Sequence, residues 1–107
     1  METIKIAPLK IKGLVSPTRV NTLEGFLRQQ DIDILFIQEV THHNLDDLRG
    51  YTTHYNVGTT MRGAALIKRD EMTLAEVTKI PSGRAIAAEF RGMWLMNIYA
   101  PSGAARR

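Results

Sequence analysis

Gln38 and Glu39 put an amide and a carboxylate at the point where an apolar run stops. That run, Ile32, Ile34, Leu35, Phe36 and Ile37, has the composition of a strand covered on both faces inside an α/β domain. Open α/β sheets gather ligands at the carboxyl ends of their strands, so Glu39 is the first candidate for chemistry. The position also suits a residue that is simply the first to meet solvent after a buried strand. A second pair lies in Trp94-Leu95-Met96-Asn97-Ile98-Tyr99-Ala100, which runs into Pro101-Ser102-Gly103. In a strand, Asn97 and Tyr99 share one face, so an amide and a phenol would converge at the exit. An edge strand with a wet tyrosine is the plainer reading of the same residues. His42 and His43 are adjacent and point in different directions on a strand or a helix, a poor arrangement for a ligand pair.

The elements that must position these residues follow from periodicity. Ile4, Ile6, Leu9 and Ile11 among Lys5, Lys10 and Lys12 predict a first strand, interrupted at Pro8, which has no N–H for a ladder. Ser16 or Thr18 can cap a helix over about Pro17 to Gln30, with Val20, Leu23, Phe26 and Leu27 on its apolar face. Gly25 weakens that helix by roughly 1 kcal/mol relative to Ala. The Asp31 strand follows directly, giving a strand, helix, strand unit. Asn44 can cap a short helix ended by Gly50. From there the chain reads as an antiparallel meander: Thr53 to Val57, Ala64 to Lys68, Thr73 to Ile80, Ala85 to Phe90 and Met93 to Ala100. Arg91-Gly92 is its clearest hairpin turn.

Composition narrows the class. With 107 residues and 44% hydrophobic content, the chain supports one compact domain, or part of one. The absence of Cys excludes a disulfide framework and a thiolate metal site. No run approaches the roughly 18 apolar residues of a membrane span, and the opening stretch has no apolar leader. These features fit an intracellular protein, in nucleus or cytoplasm. The net charge of +3 is scattered, with only Lys68-Arg69 and Arg106-Arg107 adjacent, so charge alone is a weak pointer to a polyanionic partner.

Taken in order, Ile-Lys-Ile-Ala, Lys-Gly-Leu with Ser-Pro-Thr-Arg, Asp-Ile-Leu-Phe-Ile-Gln-Glu, Arg-Gly-Ala-Ala and Asn-Ile-Tyr-Ala-Pro-Ser-Gly form a pattern. It resembles the endonuclease/exonuclease/phosphatase superfamily. Within that superfamily it is most similar to the apurinic-type endonuclease at the amino end of the LINE-type (non-LTR) retrotransposon polyprotein. The resemblance runs over essentially all of residues 1–107, which it identifies as the amino-terminal half of such a domain. It implies an α/β (α+β) fold, half of a four-layer β-sandwich with flanking helices. It also implies a metal-dependent DNA endonuclease ancestry, with Glu39 on Mg²⁺ or Mn²⁺ and Tyr99 on the scissile phosphate, where a phenol can stabilise developing charge. Arg62 and Gly63 match a turn near that site, and Lys10, Arg62 and Asn97 become candidate phosphate or DNA contacts.

The departures from the pattern shape the expectation. Where the family carries Asn-Ile-Asn-Gly-Leu, this chain has Lys10-Ile11-Lys12-Gly13-Leu14. An ammonium has only donors and adds positive charge beside the cation that Glu39 would hold. The family's second half supplies an Asp-x-Asn pair and a Ser-Asp-His stretch, and nothing after Gly103 matches them; His42, His43 and His54 do not replace them. Three readings stay open: a degenerate endonuclease half inactive by itself, a half that regains activity when another chain completes it, and a binding module for nucleic acid or protein. In each, an apolar sheet face and the strand from Trp94 to Ala100 lack cover, which predicts self-association or a partner chain.

Overall fold

The computed structural model describes residues 4–13, 17–40, 45, 48–56, 63–80 and 85–98, without the side chains of residues 10–13, 17–19, 39 and 40. Among these residues seven strands and one helix are arranged as β1 (Ile6–Gly13), α1 (Pro17–Gln29), β2 (Ile34–Val40), β3 (Tyr51–Asn56), β4 (Gly63–Arg69), β5 (Glu76–Ile80), β6 (Ala85–Phe90) and β7 (Met93–Ile98). A mixed four-stranded sheet has the order β1-β2-β4-β3, with β1 parallel to β2 and the other pairs antiparallel. A three-stranded antiparallel sheet has the order β5-β6-β7. The architecture is therefore α/β (α+β), with a mixed sheet packed on an antiparallel one in the manner of a partial sandwich.

β2 is the middle of this arrangement, as its continuous apolar run requires. Leu35 and Ile37 face α1 and pack with Val20, Leu23 and Leu27. Ile34 and Phe36 face the second sheet and pack with Ile86 and Ala88. Both faces of one strand are thus removed from water. The helix ends at the boundary the sequence indicates: Asp31 adopts φ 55°, its N–H donates to the Arg28 carbonyl, and Ile32 N–H reaches back to the Leu27 carbonyl at 3.0 Å. This paired arrangement closes a helix with a left-handed residue, here Asp where Gly is commoner, and Ile32 and Leu27 supply the accompanying apolar contact.

Three expectations change. β1 runs unbroken through Pro8, which pairs opposite Phe36. An edge strand accommodates it because alternate N–H groups point away from the single neighbour. β5 begins at Glu76 rather than Thr73, although Ala75 N–H already donates to the Glu89 carbonyl at 2.8 Å. The second half is also divided: β3 and β4 join β2, and only β5 to β7 form the separate meander. Ser16 and the Asn44 cap lie outside the described residues, whereas Thr18 sits inside α1.

Candidate functional site

The carboxyl end of β2 departs from regular pairing. Gln38 pairs with Ala64 and Val40 with Gly63, so Glu39 has no opposite residue on β4 and forms a bulge. On the other side Lys10 pairs with Gln38 and Gly13 with Val40, so β1 is irregular at the same level. Bulges bend a strand and re-aim the side chains they carry, and they concentrate beside functional sites. Sequence alternation could not show this, because a bulge is defined by the partner strand.

The topology brings the described chain neighbours of two other sequence candidates to this end. Arg62 directly precedes Gly63, the first residue of β4, and Tyr99 directly follows Ile98, the last residue of β7. Gln38 Nε2 donates to the Ile98 carbonyl at 2.7 Å, which fixes the exit of β7 beside the exit of β2. Arg62, Tyr99, His42 and His43 themselves lie outside the described residues, and for Lys10 and Glu39 the backbone alone is described. Asn97 is described in full. It is 5% exposed, and its Nδ2 donates to the carbonyls of Ile37 at 3.0 Å and Ala65 at 3.3 Å. Its amide is thus engaged between the sheets. Gln38, which the sequence offered only as the neighbour of Glu39, also reaches Asn97 Oδ1, at 3.4 Å.

The opposite pole is closed by charge. Arg69 pairs with Asp31 and, through Nε at 2.9 Å, with Asp33, whose other oxygen accepts Lys5 N–H at 2.8 Å. Burial works against the Arg69 charge, but the bond to Asp33 and the nearby Tyr51, Asp31 and Asp33 outweigh it and hold the guanidinium above its usual pKa. A cavity of about 610 Å³ opens here, lined by Asp33, Arg69, Met72 and Phe90 among others. Two of its polar walls, Asp33 and Arg69, are already committed to each other, so the Glu39 end remains the better candidate. His54 stands apart on β3, opposite Leu66; burial and the charges of Lys68 and Lys79 hold its pKa below the usual range.

Among the described residues no group of three or more His, Cys, Asp or Glu could hold a metal ion. Among the described residues the bulge carries one carboxylate position, Glu39, with Lys10 at the adjoining register position. One carboxylate fits Mg²⁺, or Mn²⁺ in the same role, only when waters and a substrate phosphate complete the shell.

No family model matches the sequence, and no curated protein matches it significantly. Solved structures do. The chain is similar to an AP endonuclease from Archaeoglobus fulgidus, with TM-score 0.68 and 23% identity, over 92% of this chain and 42% of that one. It is also similar to a mannosyl-6-phosphatase of Bacteroides thetaiotaomicron, with TM-score 0.64 and 17% identity, over 88% of this chain and 49% of that one. A truncated Caenorhabditis elegans TDP2 matches with TM-score 0.60 and 17% identity, over 91% of this chain and 48% of that one. The chain therefore spans less than half the length of each of these structures, and over that span it has the fold of the endonuclease/exonuclease/phosphatase proteins.

Proposed function

We propose that residues 1–107 are the amino-terminal part of a nuclease-type domain directed at DNA phosphodiesters, related to the LINE-type retrotransposon endonucleases and degenerate at its metal site. The observation that carries this reading is the convergence of the Glu39 bulge, the Lys10 position and the exit of β7 toward Tyr99 at one end of the sandwich. Glu39 would hold Mg²⁺ or Mn²⁺, Tyr99 would donate to a phosphate oxygen, and Lys10 and Arg62 would meet the DNA backbone as cations. The ion, when bound, neutralises charge on the phosphate and helps to activate water. Hydrolysis also needs a group to take the nucleophile's proton, and the candidate set contains none. The chain alone therefore binds DNA without cutting it.

Nicking of a supercoiled plasmid in Mg²⁺ or Mn²⁺, beside Glu39→Ala, tests the reading. No cleavage by either protein, with an affinity for DNA that falls steeply with salt, is the expected result. Cleavage abolished by Glu39→Ala would show a working site and overturn the inactivity.

The second sheet favours an accompanying role as a protein-binding surface. Trp94, Met96 and Ile98, each more than half exposed, line its outer face, and β7 is an edge strand among the described residues. We assign this surface to a second copy of the chain. These three side chains offer roughly 300 Å² of apolar surface, a patch large enough to be functional but less than half of what a standard partner contributes. Association is therefore weak, and sedimentation across a concentration series should show a monomer–dimer equilibrium that Met96→Lys abolishes.

A further inference from the structure

At the candidate end the two sheets are tied by side-chain amides rather than by a shared strand. Asn97 projects inward from β7, on the same face as Leu95, and both of its N–H groups are placed, on the carbonyls of Ile37 and Ala65. Those two residues are register partners across β2 and β4, so one side chain of the second sheet bridges two strands of the first. Gln38 makes the reciprocal connection. Its Nε2 donates from β2 to the Ile98 carbonyl at 2.7 Å and to Asn97 Oδ1 at 3.4 Å. Each amide donates to the other's strand.

The placement of this interlock gives it its meaning. Gln38 is the residue before the Glu39 bulge, and Ile98 is the residue before Tyr99. A bulge interrupts the ladder that would otherwise hold a strand end, so a local substitute is needed there. Asn56 makes a similar tie at the β3 edge, donating to the carbonyls of Ile80 and Ala85, but β4 separates it from Gln38, Ala64 pairing with both.

We propose that Gln38 and Asn97 are positioning residues, which fix the strand entering Tyr99 against the bulge that carries Glu39. This rests on the reading of Glu39 and Tyr99 as parts of one site, and the test separates the two ideas. In metal-free protein, ¹⁵N–¹H spectra of Gln38→Met should show displaced backbone signals for both Glu39 and Tyr99. Gln38→Glu, which keeps the length but loses the donor, should do the same. Asn56→Leu is the structural control: it should disturb Ile80 and Ala85 and leave Tyr99 in place. If Gln38→Met moves Glu39 alone, or if Asn56→Leu moves Tyr99 as far, the positioning role is overturned.

A Mn²⁺ titration then addresses the site. In the wild-type chain Mn²⁺ should broaden Glu39 and Tyr99 at the same concentration. In Gln38→Met the loss of Tyr99 signal should require a several-fold higher concentration than the loss of Glu39 signal. Equal broadening in that variant would overturn the positioning role while leaving the site intact. Broadening of neither residue in the wild-type chain would overturn the metal role of Glu39, and the metal-free spectra would still decide the interlock.

Discussion

The two sheets share one core yet differ on their outer faces. The outer face of the first sheet is roofed by α1, which with Leu45 and Leu48 buries Leu35, Ile37, Tyr55 and Ile67. The outer face of the second presents Trp94, Met96 and Ile98, and no described element lies over it. Their edges differ in the same sense. β1 carries Pro8, Lys10 and Lys12, devices that discourage another strand from pairing, whereas β7, Met93–Ile98, has no charge at all. Among the described residues the first sheet is roofed on its outer side and the second is not.

The largest test of this contrast is a pair of truncations. Ile67→Ala, at a fully buried position on the helix side, should cost about 2–5 kcal/mol by urea denaturation. Met96→Ala, on the outer face of the second sheet, should stay within about 0.5 kcal/mol in dilute protein. A Met96→Ala cost that approaches the Ile67→Ala value would mean that the second sheet is roofed after all.

The Asn97 interlock sets the next effect. Replacing Asn97 by Leu removes two hydrogen bonds between the sheets, and at about 0.5–1.5 kcal/mol each their loss costs about 1–3 kcal/mol. A loss below about 0.5 kcal/mol would mean that water takes over both bonds and that the sheets separate easily at this end.

The same residue shows where the sequence is legible and where it is not. Alternation puts Asn97 on one face of a strand, but which face turns inward depends on a second sheet that no local pattern specifies. Asn97 and Tyr99 at a strand exit therefore read as two converging polar groups, while the fold commits the Asn97 amide between the sheets. The Ile32–Ile37 run was readable because a strand covered on both faces needs no partner to be recognised, and the helix was readable from its apolar spacing and its end. The division of the later strands between two sheets was not, since a hairpin signal names only the adjacent strand. Glu39 stood out by position alone, whereas its bulge exists only in register with β4.

The helix that roofs the first sheet can be strengthened without touching either core. A Cβ added at Gly25 meets no atom within 4 Å. Gly25→Ala should therefore stabilise the chain by about 0.5–1 kcal/mol through helix propensity and a less entropic unfolded state. A loss of stability, measured by the same denaturation, would mean that this face of α1 carries a contact across its outer side.

The smallest effect lies where the two sheets meet along their β3 and β5 edges. Tyr51 and Tyr55 turn toward the helix, so His54 shares the other face of β3 with Asn56, whose amide reaches the second sheet. Burial first, then the charges of Lys68 and Lys79, make protonation of His54 harder in the folded chain than in the unfolded one. The unfolded state then binds the proton first as pH falls, so stability is complete above about pH 6.5 and declines as pH drops from there toward the lower folded-state pKa. His54→Gln removes that proton uptake. The stability of the wild-type chain should fall relative to the variant between about pH 7 and pH 5, most steeply at low salt, where the two lysines are least screened. Parallel pH profiles for the two proteins would place His54 in open solvent and loosen the contact between the sheets at this edge.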